Sequence, residues 1–170
     1  MIMRTTALLL AVCLASSAGA VIPKYWMTVA SACVPDDATT KFDRHQVGTA
    51  SVQHAQTNTN LIVLNCPIPW FDSGITTSWN LVMTYRDSTG ADPAASVRAR
   101  LYRIQSGSAQ SELLAAVNSN SFAATSTVAS SSPDFTHTFD FNSYIYWVRV
   151  ELNRSQTDKT GIIYSLQLTG

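Results

Sequence analysis

The feature that most narrows the fold is a period-two alternation of apolar and polar residues, repeated in run after run from residue 45 onward. Trp79, Leu81, Met83 and Tyr85 alternate with Asn80, Val82, Thr84 and Arg86; Val97, Ala99 and Leu101 alternate with Arg98, Arg100 and Tyr102. Phe135, His137, Phe139 and Phe141 continue the pattern, followed by Tyr144, Tyr146, Val148, Val150 and Leu152, and then by Ile162, Tyr164, Leu166 and Leu168. A strand turns successive side chains to opposite faces, so each run buries one face and wets the other. Residues 25–32, 47–54 and 61–68 read as further strands, and 112–117 and 121–128 as a weaker pair. The one helical candidate, 111–118, is too short to change the class. Turn-forming clusters at 56–60, 87–93, 106–108, 130–133 and 155–161 punctuate the runs. No helix is long enough to cross over between parallel strands, so the chain is expected to be all-β. The expected form is an antiparallel β-sandwich of about eight or nine strands, jelly-roll-like, with an immunoglobulin-like connection left open.

The first twenty residues read differently. Arg4 gives a positive start, 7–14 an apolar run, and Ala18-Gly19-Ala20 a small-residue cleavage site. This is the pattern of an export leader. Residues 21–170 are then expected to form a single domain, secreted or periplasmic, and long enough for a core. Cys13 would leave with the leader. Cys33 and Cys66 remain as the sole pair and are expected to form a disulfide in an oxidising compartment.

Lysine and arginine balance aspartate and glutamate at eleven each, and charged residues make up only 13% of the chain. Such a chain has no electrostatic footprint for nucleic acid or anionic lipid. No stretch after the leader reaches the length of an apolar membrane span.

The runs Ser31-Ala-Cys-Val-Pro-Asp-Asp37, Cys66-Pro-Ile68, Thr84-Tyr-Arg-Asp87 and Tyr146-Trp-Val-Arg-Val150 resemble small exported bacterial β-sandwich proteins of unassigned activity. The resemblance implies secretion, a disulfide and a β fold. It implies no reaction and no active site.

Motifs that carry chemistry are scarce. There is no Gly-x-Ser-x-Gly elbow and no His-Glu-x-x-His pair. His45, His54 and His137 are far apart in sequence, and His137 falls on the apolar face of its run, where a packed role is expected. No catalytic residue is assigned. Asp36, Asp37, Asp87 and Asp92 lie in turns, where calcium could find oxygen ligands. They match too few positions of a calcium loop, and acceptance of backbone hydrogen bonds is expected instead. No cofactor and no metal ligand is assigned.

Aromatic residues give the binding expectation. Trp70 and Phe71 follow Pro67-Ile-Pro69 in a stiffened loop, and Trp147 shares an outward strand face with Arg149 and Glu151. Trp70, Phe71 and Trp147 would stack on a sugar ring, with Asp87 or Arg149 supplying hydrogen bonds. Arg98 and Arg100 share a face with Tyr102, and strand pairing could join them to Arg149 in a small basic stripe, but with Glu151 and several Asp residues nearby a solvated face laced with ion pairs is expected instead. The leading expectation is a non-enzymatic module binding a glycan or other cell-surface ligand. One rival is a self-assembling structural protein, joined through a sheet edge at 61–68 or at the C-terminal strand. The other is a small hydrolase whose residues converge only in the fold.

Overall fold

The computed structural model describes residues 25–41, 44–73 and 77–170, so the expected leader at 1–20, with Cys13, lies outside the described residues. The described chain forms twelve strands in two antiparallel sheets. They are β1 (Trp26–Val29), β2 (Val34–Pro35), β3 (His45–Val47), β4 (Val52–His54), β5 (Ile62–Ile68) and β6 (Ser78–Asp87). The remaining six are β7 (Ala95–Gln105), β8 (Ser111–Asn118), β9 (Val128–Ser131), β10 (Phe135–Thr136), β11 (Tyr144–Arg154) and β12 (Gly161–Thr169).

One sheet has the order β2-β5-β11-β7-β8, and the other runs β10-β6-β12-β4-β3. In the second sheet β1 joins β12 beyond β4, and β9 joins β6 beyond β10, so short strands follow one another along a long neighbour. The all-β sandwich read from the alternation is therefore the fold. Between the sheets, Leu81, Met83 and Tyr85 of β6 and Ile163, Leu166 and Leu168 of β12 meet Val97 and Leu101 of β7 and Val148, Val150 and Leu152 of β11. All of these are fully buried. Burying side chains of this size stabilises the fold by roughly 1.5–3 kcal/mol each before chain entropy is counted.

Several local outcomes differ from the sequence pattern. Residues 111–118 form the strand read at 112–117 and not the short helix, with a bulge that sets Leu101 against Ala115 and Tyr102 against Leu113, whereas no strand forms at 121–128 before Val128. The 47–54 run is broken by a tight turn, closed where the Gly48 N–H donates to the Ser51 carbonyl at 2.8 Å. Only Phe135 and Thr136 of the 135–141 run pair with a strand. The rest leaves the ladder because Phe139 and Phe141 plug one end of the sandwich. There they pack with Phe71, Trp79 and Tyr146 at centroid separations of 5.0 to 5.8 Å for Phe71 against Phe141 (5.3 Å), Phe139 against Phe141 (5.8 Å) and Phe141 against Tyr146 (5.0 Å). A short helix, α1 (Asp37–Lys41), had no periodic signal; it is started by Asp36, whose Oδ1 accepts the Thr39 N–H at 2.7 Å.

Of the two segments expected to offer a free edge, the C-terminal strand does not, and 61–68 is covered only in part. β5 lies between β2 and β11, and β12 lies between β6 and the β1/β4 pair. β12 is paired along both sides, by β6 and by β1 and β4 in turn, whereas the two-residue β2 pairs only with Leu64 and Asn65 of β5.

The end opposite the aromatic plug is polar. There Arg154 continues the inward face of β11, and His54 packs nearby with its Nε2–H donating to the Asn60 carbonyl at 2.9 Å. Burial first, and then the Arg154 charge, pull the His54 pKa from the usual 6.5 down to about 4, against an opposing effect of the Asn60 hydrogen bond. A histidine with a depressed pKa in the folded state binds its proton more readily when unfolded. Its contribution to stability is therefore complete above about pH 6.5 and is lost as pH falls toward 4. Urea unfolding at pH 7 and pH 4.5 should show a loss on the order of 2 kcal/mol. His54→Gln should flatten that dependence; a variant retaining it in full would assign it elsewhere.

Candidate functional site

The outward face of the β2-β5-β11-β7-β8 sheet gathers the side chains with binding chemistry. On β11, alternation buries Tyr146, Val148, Val150 and Leu152, and so sends Ile145, Trp147, Arg149, Glu151 and Asn153 outward. The register then decides what stands beside each. Trp147 faces Tyr102 on one side and Pro67 on the other; Arg149 faces Arg100 and Asn65; Glu151 faces Arg98 and Val63. Across β8 the bulge places Leu113 opposite Tyr102.

Two adjoining rows result. In the first, the Trp147 and Tyr102 rings stack at 5.4 Å between centroids and 20° between planes. Leu113 is 50% exposed beside this pair, and Ile145, one outward position along β11, is 63% exposed. In the second row three guanidinium groups converge on one carboxylate. Glu151 Oε1 accepts from Arg100 Nη1 at 2.9 Å and from Arg149 Nε at 3.1 Å, while Arg98 Nη1 lies 3.8 Å from Oε2. Partly exposed ion pairs of this kind contribute little to stability, so the row is better regarded as a set of available donors than as a brace. Beyond it lies an open hollow of about 290 Å3 lined by Leu61, Ser96, Arg98, Glu151 and Asn153.

The structure brings Trp147 and Arg149 together on this face and separates the other sequence candidates from it. Trp70 is 67% exposed in the segment following β5. Because Ile68 pairs with Tyr146, Trp70 stands at the end of the sheet where β11 begins. Phe71, one residue further, is only 8% exposed and belongs to the aromatic plug, edge-on to Trp79 at 5.7 Å. Asp87 is fully buried. Its Oδ1 accepts from the Thr89 backbone N–H at 3.0 Å and the Thr89 hydroxyl at 2.8 Å, and its Oδ2 accepts from the Ser119 hydroxyl at 2.5 Å. Ser119 Oγ in turn accepts the Val97 N–H at 2.9 Å, so Asp87 ties the end of β6 to the neighbouring sheet.

The turn aspartates act as backbone acceptors. Asp92 Oδ1 takes the Ala94 N–H at 2.8 Å, as Asp36 takes that of Thr39. Among the described residues, no three His, Cys, Asp or Glu side chains come together to hold a metal ion. Nor is any described helix long and apolar enough to cross a membrane. His137 is half-buried, and burial lowers its pKa. The Tyr146 hydroxyl accepts the Asp140 N–H at 3.1 Å and is hydrogen-bonded to His137 Nε2 at 3.1 Å. That nitrogen is engaged within the protein.

Tyr102, Leu113 and Ile145 were not singled out as site residues from sequence. Ile145 alternates in step with Trp147, which is a readable signal; the pairing of Tyr102 with Trp147 depends on register between strands far apart in the chain.

A two-sheet antiparallel β-sandwich with one open, aromatic and cationic sheet face is the class that the fold and site define. No protein-family profile matches the chain, and no curated protein matches it. Three solved structures resemble its strand arrangement. The first is the CBM36-1 domain of a multidomain xylanase from the hindgut metagenome of Trinervitermes trinervoides. It is 9% identical with a TM-score of 0.46, over 86% of this chain and 97% of that one. The xylan-binding module CBM15 is 14% identical with a TM-score of 0.41, over 74% and 80% respectively. TmCBM61 in complex with beta-1,4-galactotriose is 10% identical with a TM-score of 0.37, over 85% and 87%. At these identities and scores the likeness concerns the sandwich and not its ligand.

Proposed function

We propose that the chain is an exported, single-domain, non-enzymatic module that binds glycan across the outward face of the β2-β5-β11-β7-β8 sheet. The observation that supports this most is the Trp147–Tyr102 ring pair, set on an outward sheet face among hydrogen-bonding side chains. An apolar sugar face stacks on aromatic rings, while hydroxyl groups at the sugar's edge need donors and acceptors at the same level. Arg100, Arg149, Glu151, Asn65 and Asn153 occupy the neighbouring outward positions. Trp70, exposed at the end of the same sheet, extends the aromatic surface. Phe71 and Asp87 have no part in this reading, since both are buried.

Export is supported by the leader-like residues 1–20 and by the Cys33–Cys66 disulfide, which suits an oxidising compartment. The test is affinity electrophoresis through a panel of soluble plant and microbial polysaccharides, with protein recovered from outside the cytoplasm and expected to begin after Ala20. Trp147→Ala should weaken binding at least tenfold, the order expected for loss of a buried aromatic anchor. Trp70→Ala should weaken it by a smaller factor. Unchanged binding in Trp147→Ala would overturn the site, and failure to bind any glycan would overturn the function. A concentration-dependent dimer that hides Trp147 from solvent would replace it with the self-assembly reading.

A further inference from the structure

We infer that the glycan bound on this face is acidic, with its carboxylate or sulfate groups taken by Arg100 and Arg149. The inference rests on the glycan-binding reading and goes beyond it in naming the ligand's charge. Arg100 and Arg149 stand directly opposite each other on adjacent strands. Like charges in that relation destabilise a sheet pair. The only carboxylate in the sequences of β5, β7 and β11 is Glu151, and it is shared by Arg98, Arg100 and Arg149. The nearest carboxylate of β8, that of Glu112, is already engaged by Arg103 at 2.7 Å. The face therefore carries more positive than negative charge, in a chain whose formal net charge is zero. The surplus is local, which suits a short run of acid groups on a sugar chain; nucleic acid requires a broader basic surface.

The geometry favours a saccharide bearing the charge. Trp147 and Arg149 are two residues apart on one strand face, roughly 7 Å along the sheet. A sugar ring lying on the Trp147–Tyr102 pair would project its exocyclic acid group toward the arginine row. Guanidinium groups present paired N–H donors that match carboxylate and sulfate oxygens, and each such bond is stronger than a neutral one. Exchange of a shared contact with Glu151 for a contact with the ligand would relieve the opposed pair.

The experiment measures binding to polygalacturonate, dextran sulfate, neutral dextran, neutral galactan and poly-glutamate at low and high salt. It uses the wild-type chain and the Arg149→Gln, Glu151→Gln and Trp147→Ala variants, with circular dichroism to show that each is folded. Binding to polygalacturonate or dextran sulfate is expected, and whichever of them is preferred identifies the acid group. That binding should weaken with salt, fall roughly tenfold in Arg149→Gln, and strengthen in Glu151→Gln, which removes the competing carboxylate. Equal binding of the neutral glycans, lost in Trp147→Ala but indifferent to salt and to Arg149→Gln, would overturn the acidic ligand and leave glycan binding standing. Binding of poly-glutamate as strong as that of the acidic glycans, and unaffected by Trp147→Ala, would overturn both. Binding to none of the polymers would do the same.

Discussion

Replacing Arg154 by methionine is expected to destabilise the folded chain by about 3–5 kcal/mol. The side chain is 5% exposed and its donors are satisfied by backbone carbonyls. Nε donates to the Asn58 carbonyl at 2.7 Å, Nη1 donates to those of Thr157 and Lys159 at 3.2 Å each, and Nη2 donates to that of Gln56. These carbonyls come from two separate connections, 55–61 between β4 and β5 and 155–160 between β11 and β12. One planar cation thus holds two loops against the end of the core, in the manner of a small metal ion surrounded by carbonyl oxygens. Methionine fills similar volume but leaves the carbonyls without donors, and the loops must either bury them unsatisfied or open to water. Arg154→Lys keeps the charge, yet an ammonium is a point donor that cannot span the four positions, so it should recover less than half of the loss. Urea unfolding at pH 7 measures both variants. A loss below about 1 kcal/mol in Arg154→Met would show that the loops are held by other contacts.

Opening the Cys33–Cys66 disulfide should have an effect of similar size. The bridge joins residues 33 positions apart in sequence and lies within the core cluster. Cys33 directly precedes β2, whose Val34 pairs with Asn65 of β5, and Cys66 is the next residue of β5. The bond therefore ties the start of β2 to its neighbour β5 within one sheet, in line with the Val34–Asn65 pairing, and closes a loop that includes the short β3 and β4 strands. On the chain-entropy account a loop of this length contributes roughly 3–4 kcal/mol through the unfolded state. For a domain of this size that corresponds to about 10 °C in Tm. Thermal unfolding with and without a strong reductant, and of the Cys33→Ala/Cys66→Ala double variant, should show the difference. Equal melting temperatures would mean that packing of β2 and β5 alone fixes this corner.

Among these features, the disulfide and the sandwich were readable from the chain. Cys33 and Cys66, the two cysteines after the expected leader, admit one pairing, and alternation over β6, β7 and β11 states which side chains face inward; on β12 a bulge between Ile163 and Ser165 buries Ile163 where Ile162 and Tyr164 were expected. Trp147 and Arg149 were readable for the same reason, being two residues apart on an outward face. Phe71 was not, because burial of a loop residue leaves no periodic trace; Asp87 continues the buried phase of β6, but as a carboxylate beside a turn its burial depends on a partner that the strand does not supply. Phe71 turns inward to meet Trp79, and Asp87 turns inward to meet Ser119, a partner more than thirty positions away. Arg154 sits on the buried phase of the β11 alternation, yet nothing in the sequence shows that the distant Gln56 and Asn58 carbonyls join those of nearby Thr157 and Lys159 around it.

The sequence by itself determined the class of fold, the inward faces of β6, β7 and β11 and the pairing of Cys33 with Cys66. These follow from period-two patterning and cysteine number, both properties of short stretches of chain. The tertiary structure alone decided that Trp147 meets Tyr102, that Arg149 opposes Arg100, and that one glutamate serves three arginines. Those contacts depend on the register between strands more than forty residues apart, and a shift of one position would send each of those side chains to the other face.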